Sequence, residues 1–327
     1  VHAWIRRTRL DPARLDRVAP ASIRRDSIAS PPFRPGATRS RPRASYTSRV
    51  RDELVILDGP VGTELLRRGV PTPLPAWSAG AIDGAPEVLA SIHADYAAAG
   101  ARVHTTNTFR TRPRTLGTEW ARVARCAVEI TRHAIPVGHR VAGSIAPIED
   151  CYRPDLSPGV GARAEHRALA EVLADAGADL LLCETFPHVG EALAAVEAAV
   201  TTGLPTWLAL TPGPEADLFT PDALAHGARE AVRRGAAAVL VNCVPVARVS
   251  EYLDALLASD LGVPVGAYAN AGHVDEGMGW TSEDAPDAAT RYLEHARTWR
   301  ELGASILGGC CGTGPAHVRA LATLVGR

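Results

Sequence analysis

The chain has 327 residues, 46% of them apolar and 22% charged, the balance of a globular protein with a sizeable core. No apolar run approaches the roughly 20 residues of a membrane helix, so no membrane span is expected. All 35 basic residues are Arg; without a Lys, neither a Schiff-base lysine nor a Walker-type phosphate loop is available.

Residues 1–51 carry 13 Arg against three acids, Asp11, Asp16 and Asp26, a net +10. The remainder carries 22 Arg against 33 acids, a net −11. The basic segment reads as a disordered extension or an over-extended gene start, and its Ser- and Arg-rich, acid-poor composition also fits a transit peptide. A basic arm is one way to meet nucleic acid or an anionic membrane, but the acidic body argues against nucleic acid. We expect neither partner, and a cytoplasmic location.

From Leu54 onward, short apolar runs alternate with Ala-, Leu-, Glu- and Arg-rich stretches of helical spacing. The runs 54–58, 102–109, 140–147, 180–186, 206–211, 238–245, 264–270 and 305–311 read as buried parallel strands. Residues 86–99, 163–176 and 189–201 read as helices. Gly100, Gly177, Gly203, Gly235 and Gly303 stand where left-handed helix caps belong. Eight strand–helix units over about 270 residues predict an α/β fold, a (β/α)8 TIM barrel. The open doubly wound sheet is the alternative, but the first strand ends Asp58-Gly59-Pro60-Val61-Gly62, which is not a dinucleotide-binding loop. No Pro- or Ser-rich linker interrupts residues 54–327, so they read as one domain.

In such a barrel, function gathers at the C-terminal strand ends. Those ends carry Asp58, Thr106, Ser144, Glu184, Cys243, Asn270 and the run Gly308-Gly309-Cys310-Cys311-Gly312. Without a secretory signal, the six Cys are not expected to form disulfides. Cys243, Cys310 and Cys311 belong to strands six and eight, whose ends can meet over the mouth. Three thiolates suit a soft or borderline cation, Zn2+ first, and leave a fourth position open. Cys126 reads as helix core and Cys151 as a loop thiol near the mouth. Strand alternation points Cys183 away from Glu184. Asp58 and Glu184 could serve acid–base chemistry or bind a cationic group.

The stretches LDGPVGTEL (57–65), TTNTF (105–109), DAGADLLLCETF (175–186), VNC (241–243) and GGCCGTGPAHV (308–318) resemble the homocysteine S-methyltransferases. The resemblance covers roughly residues 54–325, and residues 77–101 look closest to members that use S-methylmethionine or S-adenosylmethionine. It implies zinc on Cys243, Cys310 and Cys311. It also implies that Asp58 and Glu184 bind the homocysteine amino group, with Thr106, Ser144 and Asn270 near the pocket. Zinc would deprotonate the homocysteine thiol for attack on the donor's methyl group, giving methionine. Ser144-Ile145-Ala146-Pro147 and the loop 148–160 depart from the family pattern on the donor side. Betaine as donor, another thiol or selenol acceptor, and a non-catalytic zinc or redox-sensing barrel are the competing readings.

Overall fold

The computed structural model describes residues 53–272 and 287–326. The expectation for residues 1–51 lies outside them. Eight parallel strands follow in chain order: β1 (Val55–Ile56), β2 (Val103–Thr105), β3 (Arg140–Ile145), β4 (Leu180–Phe186), β5 (Thr206–Leu210), β6 (Ala238–Pro245), β7 (Val265–Asn270) and β8 (Ile306–Gly309). Each pairs with its sequence neighbour from β2 to β8, and β8 pairs back onto β1. A parallel bridge between Leu57 and Val103 joins β1 to β2 and completes the ring. The expected barrel is therefore the observed one.

The expected helices form at Pro86–Ala99, Arg163–Asp175 and Val189–Val200. Their Ala- and Leu-rich sequences favour helix, and Pro86 opens the first of them where its missing N–H costs nothing. Gly100 ends that helix at φ +113°, with Ala322 so close that a side chain there has neither the backbone conformation nor the space. The β1–β2 connection is longer than one helix. It adds Val61–Arg67 and a short turn at Trp77–Gly80 before Pro86.

Alternation along the strands makes two apolar layers. Val55, Leu57, Val103, Leu180, Leu182, Trp207, Leu240 and Ile306 point inward and fill the barrel. Ile56, Val141, Leu181, Leu208, Val239 and Leu307 point outward against the helices. The filled interior closes the barrel axis and leaves chemistry only its mouth. Among the described residues no helix is long and apolar enough to cross a membrane.

Candidate functional site

Two acids reach the mouth from β1 and β4. Asp58 follows β1 and is almost wholly buried. It accepts hydrogen bonds from the Thr105 backbone N–H at 2.8 Å and the Thr105 hydroxyl at 3.0 Å. Burial nonetheless holds its carboxyl well above the usual range, against those bonds and with a smaller push from Glu184. Glu184 accepts a short hydrogen bond from the Ser144 hydroxyl and one from the Tyr268 hydroxyl at 3.2 Å. Burial pushes its carboxyl up to about 7.

The thiols come from β6 and from the turn after β8. Ala238 and Leu240 point into the barrel, and strict alternation carries Asn242 inward and sends Cys243 outward. Cys243 instead adopts φ +53°, and the register against β7 shifts between Asn242 and Pro245. This bulge turns the thiol back to the mouth. Thr185 does the same in β4 at φ +61°, where the register shifts between Cys183 and Phe186. The Asn242 amide donates to the Thr185 hydroxyl at 2.8 Å, tying the two bulges together.

On β8, a Cβ on Gly308 would stand 2.6 Å from the Leu57 Cβ, so only Gly lets β8 close against the end of β1. The Cys310 N–H bonds to the Ala269 carbonyl at 2.8 Å, and the Cys311 carbonyl accepts from Ala271 at 3.0 Å. Beyond them, the Arg67 guanidinium grips the carbonyls of Gly312 at 2.7 Å and Thr313 at 2.8 Å while pairing with Glu64. Gly312 turns at φ +81°.

The three sulfurs lie within 4.8 Å of one another, and Cys243 and Cys311 are 3.9 Å apart. Tetrahedral zinc with bonds of about 2.3 Å sets its sulfurs about 3.8 Å apart, so the donor set fits that ion in chemistry and in spacing. Hydrogen bonds from Cys243 and Cys310 pull the Cys311 thiol well below its usual range.

The remaining residues sort by contact. Ser144 bonds directly to Glu184. Asn270 is buried at the end of β7 with its side-chain oxygen unpartnered among the described residues. The Thr106 hydroxyl bonds to Thr108 at 2.8 Å and accepts the Ser144 N–H at 3.0 Å, joining β2 to β3; it is Thr105 that holds Asp58. Cys183 is buried in the outer layer, as alternation requires, and Cys126 packs on a helix.

Sequence reasoning missed Tyr268 and Tyr152. Tyr268 reads as barrel filler until its hydroxyl is seen on Glu184. The Tyr152 hydroxyl lies 2.9 Å from the Cys243 sulfur, brought there by the loop after β3. Glu191 clasps that loop at both ends, accepting from the Ile148 N–H at 2.7 Å and the Ser157 hydroxyl at 2.5 Å. A side chain 91 residues from Cys243 in sequence leaves no local signal of such a contact.

The homocysteine S-methyltransferase family profile matches residues 55–325, nearly the whole barrel. The chain belongs to that family. A homocysteine S-methyltransferase of Escherichia coli is 30% identical over 302 residues, covering 83% of this chain and 95% of its own length. A betaine–homocysteine S-methyltransferase of Rattus norvegicus is 31% identical, covering 83% of this chain and 72% of its own length. The crystal structure of the metallated Escherichia coli homocysteine methyltransferase MmuM superimposes with a TM-score of 0.69 at 27% identity. That match covers 83% of this chain and 96% of the other. The homocysteine S-methyltransferase barrel described here is thus that of a methyltransferase acting on small molecules.

Proposed function

We propose that the barrel transfers a methyl group from S-methylmethionine or S-adenosylmethionine to homocysteine, giving methionine, with zinc held by Cys243, Cys310 and Cys311. The observation that carries this reading is the mutual spacing of three sulfurs beside two buried carboxylates. Zinc, when bound, supplies a positive charge that keeps an acceptor thiol deprotonated at neutral pH.

The protein's own groups do the rest. Asp58 and Glu184 receive the acceptor's ammonium group. Burial makes each carboxylate hungry for a cation, and an arriving ammonium draws both back to the ionised form. Ser144 and Tyr268 fix the Glu184 oxygens, so the ammonium meets a set geometry. Held at its amino end, homocysteine presents its sulfur to the cysteine side of the mouth. The methyl group then leaves the donor's sulfonium sulfur and bonds to the acceptor sulfur. The donor keeps the electron pair of the broken bond and departs as a neutral thioether, while the acceptor's thiol proton is released. Alignment of three atoms carries this displacement, and no base is needed at the methyl carbon. The clasped loop 148–157 and its Tyr152 border the donor side. Three free thiols as ligands suit the reducing cytosol, where we place the enzyme.

Betaine as donor is the second reading, favoured by the 31% identity to a betaine-using relative. The deciding experiment is methionine formation from homocysteine with each of the three donors, with and without a zinc chelator. Chelator-sensitive turnover with S-methylmethionine or S-adenosylmethionine is expected. Zinc-replete protein that turns over none of the three sinks the assignment.

A further inference from the structure

Asp58 also belongs to a second polar cluster, whose two histidines have no part in the reaction described above. One ring nitrogen each of His93 and His104 and one Asp58 oxygen lie within 4.8 Å of one another. His93 sits on the helix Pro86–Ala99 and His104 on β2, and both are fully buried. Two histidines and a carboxylate look like a metal site. Their hydrogen bonds say otherwise.

The Thr131 hydroxyl donates its one proton to the Ala127 carbonyl at 2.8 Å, so at 3.1 Å from His93 Nε2 it accepts. His93 therefore carries its proton on Nε2, and its Nδ1 is a bare lone pair. On the other side, the Arg102 guanidinium can only donate, and it lies 2.7 Å from His139 Nε2. His139 is then protonated on Nδ1, which donates to His104 Nε2 at 3.1 Å. His104 must in turn carry its proton on Nδ1. A metal needs that nitrogen bare, and freeing it would break the chain back to Arg102. Burial keeps both rings neutral, lowering His93 to about 4 and His104 to about 3.

His93 Nδ1 and His104 Nδ1 are both unpartnered among the described residues, although the Ala101 carbonyl beside His104 favours its protonated ring. The cluster thus offers one N–H donor, one nitrogen lone pair and one carboxylate. A water molecule is the complement of that set, since it accepts one hydrogen bond and donates two. Three atoms within 4.8 Å of one another share a centre at most about 2.8 Å from each, inside hydrogen-bond reach.

We propose that a single buried water joins His104 Nδ1–H, His93 Nδ1 and the Asp58 carboxylate, making His93 and His104 positioning residues for Asp58. The water would hold the acid from behind while Thr105 holds it from the side. The inference rests on Asp58 binding the acceptor's ammonium group only for its kinetic consequence, not for the water itself.

A crystal structure of the zinc-loaded protein, at a resolution that orders waters and with data at the zinc edge, tests it directly. One water within hydrogen-bond reach of all three groups, with anomalous signal at the cysteines alone, is the expected result. An anomalous peak at Asp58, His93 and His104, or no ordered water among them, overturns the proposal. In solution, His93→Leu should raise the homocysteine KM about tenfold with kcat within about twofold, and His93→Gln should recover most of the loss. An unchanged KM in a folded His93→Leu enzyme overturns the positioning role. If the wild-type enzyme does not turn over homocysteine, the functional reading fails, and diffraction still decides the water.

Discussion

The two poles of the barrel mouth are fixed by different means. At the carboxylate pole, hydrogen bonds made to the acids themselves do the holding: the Thr105 N–H and hydroxyl on Asp58, the Ser144 and Tyr268 hydroxyls on Glu184. At the cysteine pole the backbone does it, through a left-handed Cys243 and a turn whose carbonyls Arg67 grips. The difference follows from the atoms. A carboxylate has lone pairs that well-placed donors can orient, whereas a thiol is a weak and diffuse hydrogen-bonding group. Sulfur is aimed by placing its Cα. The cysteine pole should therefore fail all at once, and the carboxylate pole by degrees.

The sharpest test of that contrast is Cys310→Ala. It should abolish stoichiometric zinc and lower kcat/KM roughly a thousandfold, about 4 kcal/mol of lost transition-state stabilisation. Metal analysis and turnover on the same preparation check it, and retention of both would remove the zinc assignment. Glu184→Gln should instead act on affinity. We expect a homocysteine KM higher by roughly ten- to a hundredfold, with zinc retained, because one charge-assisted hydrogen bond is weakened.

The same acid sets a pH dependence. Its carboxyl is raised to about 7 in the free enzyme, so the anionic form, to which the proposed function assigns the ammonium group, is present above that pH and lost below it. On this account kcat/KM for homocysteine falls about tenfold per unit as pH drops below 7, and Glu184→Gln should flatten that limb. If wild type and variant give superimposable profiles, another group sets the limb.

Arg67→Met probes the cysteine pole from its support. Losing two carbonyl contacts and leaving Glu64 with weaker pairing should cost about 2 kcal/mol in unfolding and loosen zinc by roughly tenfold. The smallest effect belongs to Cys183→Ala in the outer layer. About 1 kcal/mol of stability should go, with activity and zinc unchanged.

Much of this was legible in the sequence. Each of the eight strands falls within one run of apolar residues, and GGCC together with VNC brought three cysteines to one face. Alternation also placed Cys183 correctly. It could not place Asn242 and Cys243 together at the mouth, since neighbours on a strand point to opposite faces. The left-handed residue that resolves this carries no sequence mark, because Cys is an uncommon choice for that backbone. Tyr268 was hidden for the opposite reason: it sits where barrel filler is expected, and only its hydroxyl has a polar task. Tyr152, His139 and Arg102 depend on neighbours far away in the chain, which periodicity does not report.

The Glu191 clasp has a bearing on ancestry. Because one carboxylate grips both ends of the loop, the residues between Ile148 and Ser157, Tyr152 apart, can be rewritten without moving their anchors. Changes at the rim of the cup therefore leave its floor, made of strand ends, in place. A lineage so built can change what it accepts from one side without relearning the chemistry beneath.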